Sequence, residues 1–318
     1  MKCFVGLDVS SQKLDVCMLT DDVSVHQLYA SSLPNDINGA SEIKNQILKL
    51  NEIYNFTRLV IGMEATSLYS YHPAMFFNED EKLKDLNVEV IIEQPNKIKR
   101  YREAFEENKN DTIDAFYIAD YFRIERFASS ILKEEQYLAL QHLTRNRYQR
   151  IKQLVRTKQH FIENIYYKCN KLSSELKSSD SSSTSLFSAT IIELMTENYE
   201  LDELAELPLE EFALLLQKLG RRRFKNPEAL AKAIQKAIRG SYRLSQVQQE
   251  SVNLILSLLV REIRTIEAMI KDIDRAIEDM VETIPEYQCL TSVPGIGKVY
   301  AAGIIAEVGQ IERFKDHP

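Results

Sequence analysis

No two of the four cysteines, Cys3, Cys17, Cys169 and Cys289, form a C-x-x-C pair. That spacing excludes a zinc ribbon or a disulfide framework, so each thiol reads as a small buried hydrophobe in a reducing cytoplasm. Nor does any apolar run approach the roughly 20 residues that a membrane helix needs. The run CFVGLDV after Met1-Lys2 is too short for the apolar core of a signal peptide. The expected setting is therefore cytoplasmic, with no membrane partner. Net positive charge is lacking too: 47 acidic against 40 basic residues leave -7, which excludes a uniformly basic nucleic-acid binder. What the chain does have is 318 residues, 44% of them hydrophobic, enough for a sizeable core and two domains.

Its charge is segregated. Arg145, Arg147, Arg150, Lys152, Arg156, Lys158, Lys168 and Lys171 follow one another with only Glu163 opposing them locally, while acids gather at 78–85 and 193–211. Such a stretch reads either as a nucleic-acid contact or as the solvated face of a long charged helix.

The first 130 residues alternate strand and helix signals. KCFVGLDV (2–9) and LDVCMLT (14–20) form an expected hairpin, and SVHQLYA (24–30) is a third strand. A helix over 36–53, the buried strand RLVIGME (58–64) and a helical stretch from about 68 to 86 come next. VEVIIE (88–93), a short basic helix KIKRYREAF, and then NDTIDAFYIADYFR complete the unit. Three strands followed by alternating helices and strands give a mixed α/β sheet with the ribonuclease-H-like layout, whose first three strands form an antiparallel meander. Asp8 and Glu64 then close the first and fourth strands. Asp111 and Asp114 sit three residues apart on one face of the last helix, where like charges repel unless a cation or proton lies between them. Carboxylates converging from strand ends and one helix suit hard divalent ions such as Mg²⁺, two of which about 4 Å apart can assist phosphoryl transfer. Asp15, Asp21 and Asp22 read as solvated.

Sugar kinases and actin-like ATPases open on a comparable strand and turn, with a glycine that lets the backbone approach phosphate. Here no glycine lies between Ser10 and Gly39, and the sheet is not repeated, so this reading is discounted.

Beyond Phe127 the pattern turns helical. Leu138 to Leu176 reads as one long helix with Tyr148, Ile151, Val155, Ile162, Ile165, Cys169, Leu172 and Leu176 in its seam. Val252, Leu256, Leu259, Ile263, Ile266, Ile270, Ile273, Ile277, Met280 and Ile284 step by fours and threes, which is a coiled-coil seam. The two helices are expected as an antiparallel pair or as the core of a dimer. SSDSSSTS (178–185) reads as a linker, with short helices at 187–197, 208–219 and 227–239. Arg221, Arg222 and Arg223 are either a phosphate contact or a solvated helix end. Gly295, Gly297 and Lys298 lie in a Pro-Gly-Ile-Gly turn between helical runs. That turn reads equally as a helix-hairpin-helix phosphate contact or as a small-residue packing contact.

GLDVSSQKLDV, GMEATSLY, NDTIDAFYIADYFR and LTSVPGIGKVYAAGIIAEVGQIERF resemble, in order and spacing, the DEDD transposases of insertion sequences. These are recombinases related to the pilin-gene invertase, some of them guided by a bridge RNA. The resemblance implies a ribonuclease-H/RuvC-like DEDD domain over 1–130 and a long-helix coiled-coil region over 131–286. It implies that 287–318 begin a partial C-terminal helical domain. It also implies Mg²⁺ or Mn²⁺ held by Asp8, Glu64, Asp111 and Asp114, DNA and in guided members a structured RNA as partners, and a homodimer or higher assembly. The family continues into a serine nucleophile that is not expected among these residues, and Ser292 lies in the wrong part of the motif to replace it. A stand-alone junction nuclease using water, or a non-catalytic nucleic-acid-binding protein, are the alternative readings.

Overall fold

The computed structural model describes residues 1–22, 27–65, 69–105, 111–124, 134–178, 184–196 and 199–310, the side chains of 111–113 excepted. Part of the third strand expected at 24–30, the start of the helix expected near 68, most of the serine linker and the segment after Gln310 lie outside them. So does the Asp111 side chain.

Two compact units form, Met1–Glu135 together with the segment from Val308, and Gln136–Glu307. The first is built on one five-stranded sheet. Its strands are β1 (Lys2–Val9), β2 (Lys13–Thr20), β3 (Gln27–Pro34), β4 (Arg58–Glu64) and β5 (Val88–Glu93), in the order β3-β2-β1-β4-β5. β1, β2 and β3 form the antiparallel meander expected from the sequence, and β4 and β5 run parallel to β1. β1 and β4 are buried on both faces, which is why they read as unbroken apolar runs.

Residues alternate between those two faces. Val5, Leu7, Leu14, Val16, Ile61 and Met63 pack against helices α1 (Ile37–Tyr54) and α2 (Tyr71–Glu79) in one core. The Asp36 side chain starts α1 by accepting from the Asn38 and Gly39 amides, both at 2.9 Å. The helix expected over 68–86 is instead two, α2 and the single turn α3 (Glu81–Lys84), because Asp80 caps the second by accepting from Lys82 and Leu83. The opposite face carries Phe4, Gly6, Val60, Gly62 and Ile91. Against it lie α4 (Pro95–Glu103) and α5 (Asp111–Arg123), through Ile98, Ile118, Tyr121 and Phe122.

The second unit is helical: α6 (Glu135–Lys168), α7 (Leu172–Ser178), α8 (Ala189–Met195), α9 (Leu201–Glu206), α10 (Leu209–Leu219), α11 (Pro227–Arg239), α12 (Gln246–Val281), α13 (Pro285–Thr291) and α14 (Lys298–Val308). α6 and α12 run antiparallel: Arg147 meets Asp274, Lys158 meets Glu267, and Lys168 meets Asn253. A capping box of Ser245 and Gln248 starts α12. Its apolar stripe is buried as the periodicity predicts, at Val252, Leu256, Ile263, Ile266, Ile270 and Ile277.

The seam expected on the first long helix holds at Ile165, Cys169, Leu172 and Leu176, which are buried, and is corrected before them. Tyr148 and Val155 are exposed, at 57% and 63%, and the buried stripe runs through Leu140, Thr157, Phe161, Ile165 and Lys168. Two of those are polar and accommodated by partners. Thr157 donates to Glu262, and the Lys168 ammonium donates to the Met195 carbonyl at 2.9 Å and to Asn253 at 2.5 Å. The helix is also not continuous. It ends at Lys168, and the break is held by Ser241 Oγ accepting from the Lys171 amide and by Asn170 accepting from the Tyr242 amide. α9 was not expected at all. Of the cysteines, Cys3, Cys17 and Cys169 are buried as read, whereas Cys289 is exposed. Burial pushes the Cys3 and Cys17 thiols up to about 12. No helix among the described residues is long and apolar enough to cross a membrane.

Candidate active site on the acidic edge of the sheet

Strand pairing sets the carboxylates side by side. In the β1–β4 register Leu7 faces Met63, so the next residues, Asp8 and Glu64, are neighbours at the ends of two adjacent parallel strands. Asp8 is paired across β1–β2 with Asp15, and Glu64 across β4–β5 with Glu93. Four acids thus form one row across four strands, spaced by the roughly 4.8 Å between strands. They share the parity of Gly6 and Gly62, the face on which α5 lies. Asp8 and Glu64 are both half-buried.

α5 reaches that face because two strand residues have no side chain. A Cβ at Gly6 would stand 2.3 Å from the Ala115 carbonyl oxygen and the Ala119 amide nitrogen, and one at Gly62 would strike the Phe122 ring. The helix therefore sits through Ala115 and Ala119 on the backbone of β1 at Gly6, two residues before Asp8. Asp114 precedes Ala115 on that helix, and its side chain is only 12% exposed. Asp111 begins the same helix one turn earlier.

A cation already stands among these acids. The Arg102 guanidinium, from α4, donates to Asp114. That hydrogen bond first, then the charges of Asp114 and Glu64, hold the guanidinium above its ordinary range. Arg102 thus ties α4 to the helix acid, and the Glu64 charge adds to the field it feels. Among the described residues no three acidic, histidine or cysteine side chains form a ready metal cage.

Sequence reasoning passed over Arg102 and Glu93. Glu93 is buried and accepts from the Tyr121 hydroxyl at 3.2 Å, from Lys97 and from the Gln94 amide. Its signal was available: VEVIIE ends on a glutamate just as RLVIGME does. Arg102 had no signal beyond lying in a basic helix.

The basic residues of α6 are less available than the chain order suggests. Arg145 forks onto Glu307 at 2.8 and 2.9 Å, Arg147 pairs with Asp274 at 2.5 Å, and Lys158 pairs with Glu267 at 2.7 Å. Those acids come from α12 and α14, so the local sequence does not reveal them. Arg150 donates to Gln153, Lys152 stacks over the Tyr148 ring, and Arg156 is exposed. Arg221, Arg222 and Arg223 are exposed after α10, the first two in the left-handed backbone region at φ 49 and 55°. Gly295, at φ 92°, and Gly297 lie in the turn joining α13 to α14, and Lys298 pairs with Glu278 at 2.8 Å. Ser292 closes α13, its hydroxyl donating to the Cys289 carbonyl at 2.7 Å.

Comparison with known proteins adds to this geometry. No curated protein matches the chain. A solved structure of T. thermophilus RuvC in complex with a Holliday junction substrate is similar at 12% identity and a TM-score of 0.29, over 39% of this chain and 97% of that one, a likeness too slight to carry weight. Residues 5–165, a span that takes in Asp8, Glu64, Asp111 and Asp114, match the DEDD transposases of the IS110 type, and residues 287–318 match the transposase family IS116/IS110/IS902. With half of its length matched, the chain belongs to the IS110 family of DEDD transposases.

Proposed function

We propose that the chain acts on DNA phosphodiester bonds as a metal-dependent transposase or site-specific recombinase, with Asp8, Glu64, Asp111 and Asp114 as its acidic tetrad. The observation that carries this reading is the pairing of Asp8 and Glu64 on adjacent strand ends beneath the helix that bears Asp114. In this reading 1–130 is a ribonuclease-H/RuvC-like domain, as its β3-β2-β1-β4-β5 order supports. Residues 131–286 are a coiled-coil region serving assembly as a homodimer or larger oligomer, and 287–318 open a helical domain. Nucleic-acid contacts are assigned to Arg145, Arg147, Arg150, Lys152, Arg156, Lys158, Arg221, Arg222, Arg223, Gly295, Gly297 and Lys298, with DNA and a structured guide RNA as the partners.

The donor set fits a hard divalent cation: it is all carboxylate oxygen, and one of its acids, Asp114, already holds the Arg102 guanidinium. Mg²⁺ or Mn²⁺ held by the four acids would supply Lewis-acid assistance at the scissile phosphate. The chain's own part is positional. Sheet pairing fixes Asp8 and Glu64, the Gly6 contact fixes α5, and Arg102 compensates Asp114 and Glu64 while no other cation is bound. The serine nucleophile of the family is assigned to none of these residues. The test is incision or exchange of insertion-element DNA in Mg²⁺, in Mn²⁺ and in EDTA. Activity in the first two and none in EDTA is expected; undiminished activity in EDTA overturns the reading.

The role of Arg102 gives a separate expectation. In Arg102→Ala, Asp114 and Glu64 lose their counter-charge, so metal-free stability should fall by about 2 kcal/mol. Mg²⁺ should then raise the melting temperature more in the variant than in the parent, because the ion no longer competes with a guanidinium. Equal Mg²⁺ shifts in thermal unfolding would remove Arg102 from the site.

A further inference from the structure

Within the helical unit, α6, α12, α13 and α14 enclose a cavity of about 540 Å³ whose lining is mostly apolar. Tyr148 and Ile151 of α6, Ile277 of α12, Tyr287 of α13, and Val299 and Tyr300 of α14 line it. Two of its rings are spent on no core: Tyr148 is 57% exposed and Tyr300 72%. Lys152 stands with its ammonium 4.4 Å from the centre of the Tyr148 ring, and among the described residues no carboxylate pairs with it. The two cations of the lining itself are neutralised, Arg147 by Asp274 and Lys298 by Glu278. In the turn that leads into α14, the Gly295 backbone is at φ 92° with no atom within 4 Å of where a Cβ would stand.

We infer that this cavity is a stacking slot for an unpaired nucleobase of single-stranded nucleic acid, with Tyr148 and Tyr300 as its rings and Lys152 for the adjoining phosphate. Two observations fix the chemistry. Large aromatic faces left in water at a concave site call for a flat, partly apolar ligand. An unneutralised ammonium stacked on one of those rings calls for an anion bonded to that ligand, and a nucleotide supplies both. A base inside a duplex has both faces covered and does not enter. This inference rests on the nucleic-acid reading proposed above and names the form that the helical unit takes hold of.

The test uses the full chain and an oligonucleotide of about 12 residues carrying one 2-aminopurine, as DNA and as RNA, followed by base fluorescence and by anisotropy. Binding with quenching is expected. Tyr148→Ala and Tyr300→Ala should each weaken it about tenfold, while Tyr148→Phe, which keeps the ring, binds like the parent. Lys152→Gln should flatten the salt dependence. The ratio of DNA to RNA affinity tells which strand is preferred. Both rings are exposed, so the variants should fold as the parent does. Unchanged affinity in both alanine variants overturns the slot, as does a loss of dimer in sedimentation with binding intact, which would make the surface a contact between copies. Asp8→Asn should bind the oligonucleotide like the parent, so that a failure of the acidic site and a failure of the slot are read separately. Absence of binding by the parent at low salt overturns the slot and leaves the acidic edge to the incision assay.

Discussion

Asp8→Asn is expected to lower Mg²⁺-dependent incision or exchange at least about 1,000-fold while leaving DNA affinity within about twofold. The two measurements separate because the substitution changes charge and almost nothing else. Asparagine is isosteric, and Asp8 lies at the end of β1, where the ladder to β2 and β4 is made by backbone groups. Fold and register should therefore persist. What is lost is one of the charges that favour a divalent ion, and an amide oxygen supplies no compensating charge. Glu64→Gln and Asp114→Asn should behave alike, and the effects should be far from additive, since an ion lost once cannot be lost again. Asp21→Asn is the matched control. Asp21 accepts from the Lys2 amide at the other end of β1, so activity should stay at the parental level. Parental activity in Asp8→Asn, or an equal loss in Asp21→Asn, would dissolve the acidic edge as a reacting centre.

The parts of the molecule that were legible in sequence share a physical cause. β1, β4 and β5 are covered by helices, so they appear as short apolar runs, and an acid closing such a run stands out. That contrast made Asp8 and Glu64 visible before any geometry was known. Glu93 closes its run in the same way, yet its role as acceptor for Tyr121 and Lys97 depends on α5 and α4, which no local pattern foretells. Arg102 was hidden for the same reason: its partner lies on another helix. On α6 the periodicity pointed to Tyr148 and Val155, while the packed stripe includes Thr157 and Lys168. A buried ammonium is readable only once its acceptors on α8 and α12 are in place. The same holds for the basic residues of α6, whose opposing acids arrive from α12 and α14. Charge along one helix tells little about charge across two.

Gly6→Ala should be among the most damaging single methyl groups in the sheet unit. Its Cβ would stand 2.3 Å from the Ala115 oxygen and the Ala119 nitrogen, and 2.8 Å from the Ala119 Cα. All three are backbone atoms of α5, so no rotamer change relieves the overlap. The helix must lift from β1, and Ala115, Ala119 and Phe122 lose part of their contact with the sheet. Overpacking of this kind costs about 3 kcal/mol, to be read as a lower midpoint in urea unfolding. The functional loss should exceed the loss of folded protein. Asp114 is carried by the displaced turn, and a shift of about 1 Å at a reacting centre costs roughly 100-fold in rate. Activity per folded molecule, measured well below the unfolding midpoint, is therefore the informative quantity. Gly303→Ala sets the baseline: it lies inside α14 with nothing within 4 Å of the added carbon, and should leave stability unchanged or raise it by up to about 1 kcal/mol. If Gly6→Ala unfolds at the parental midpoint, α5 does not rest on β1, and Asp114 has no reason to lie beside Asp8.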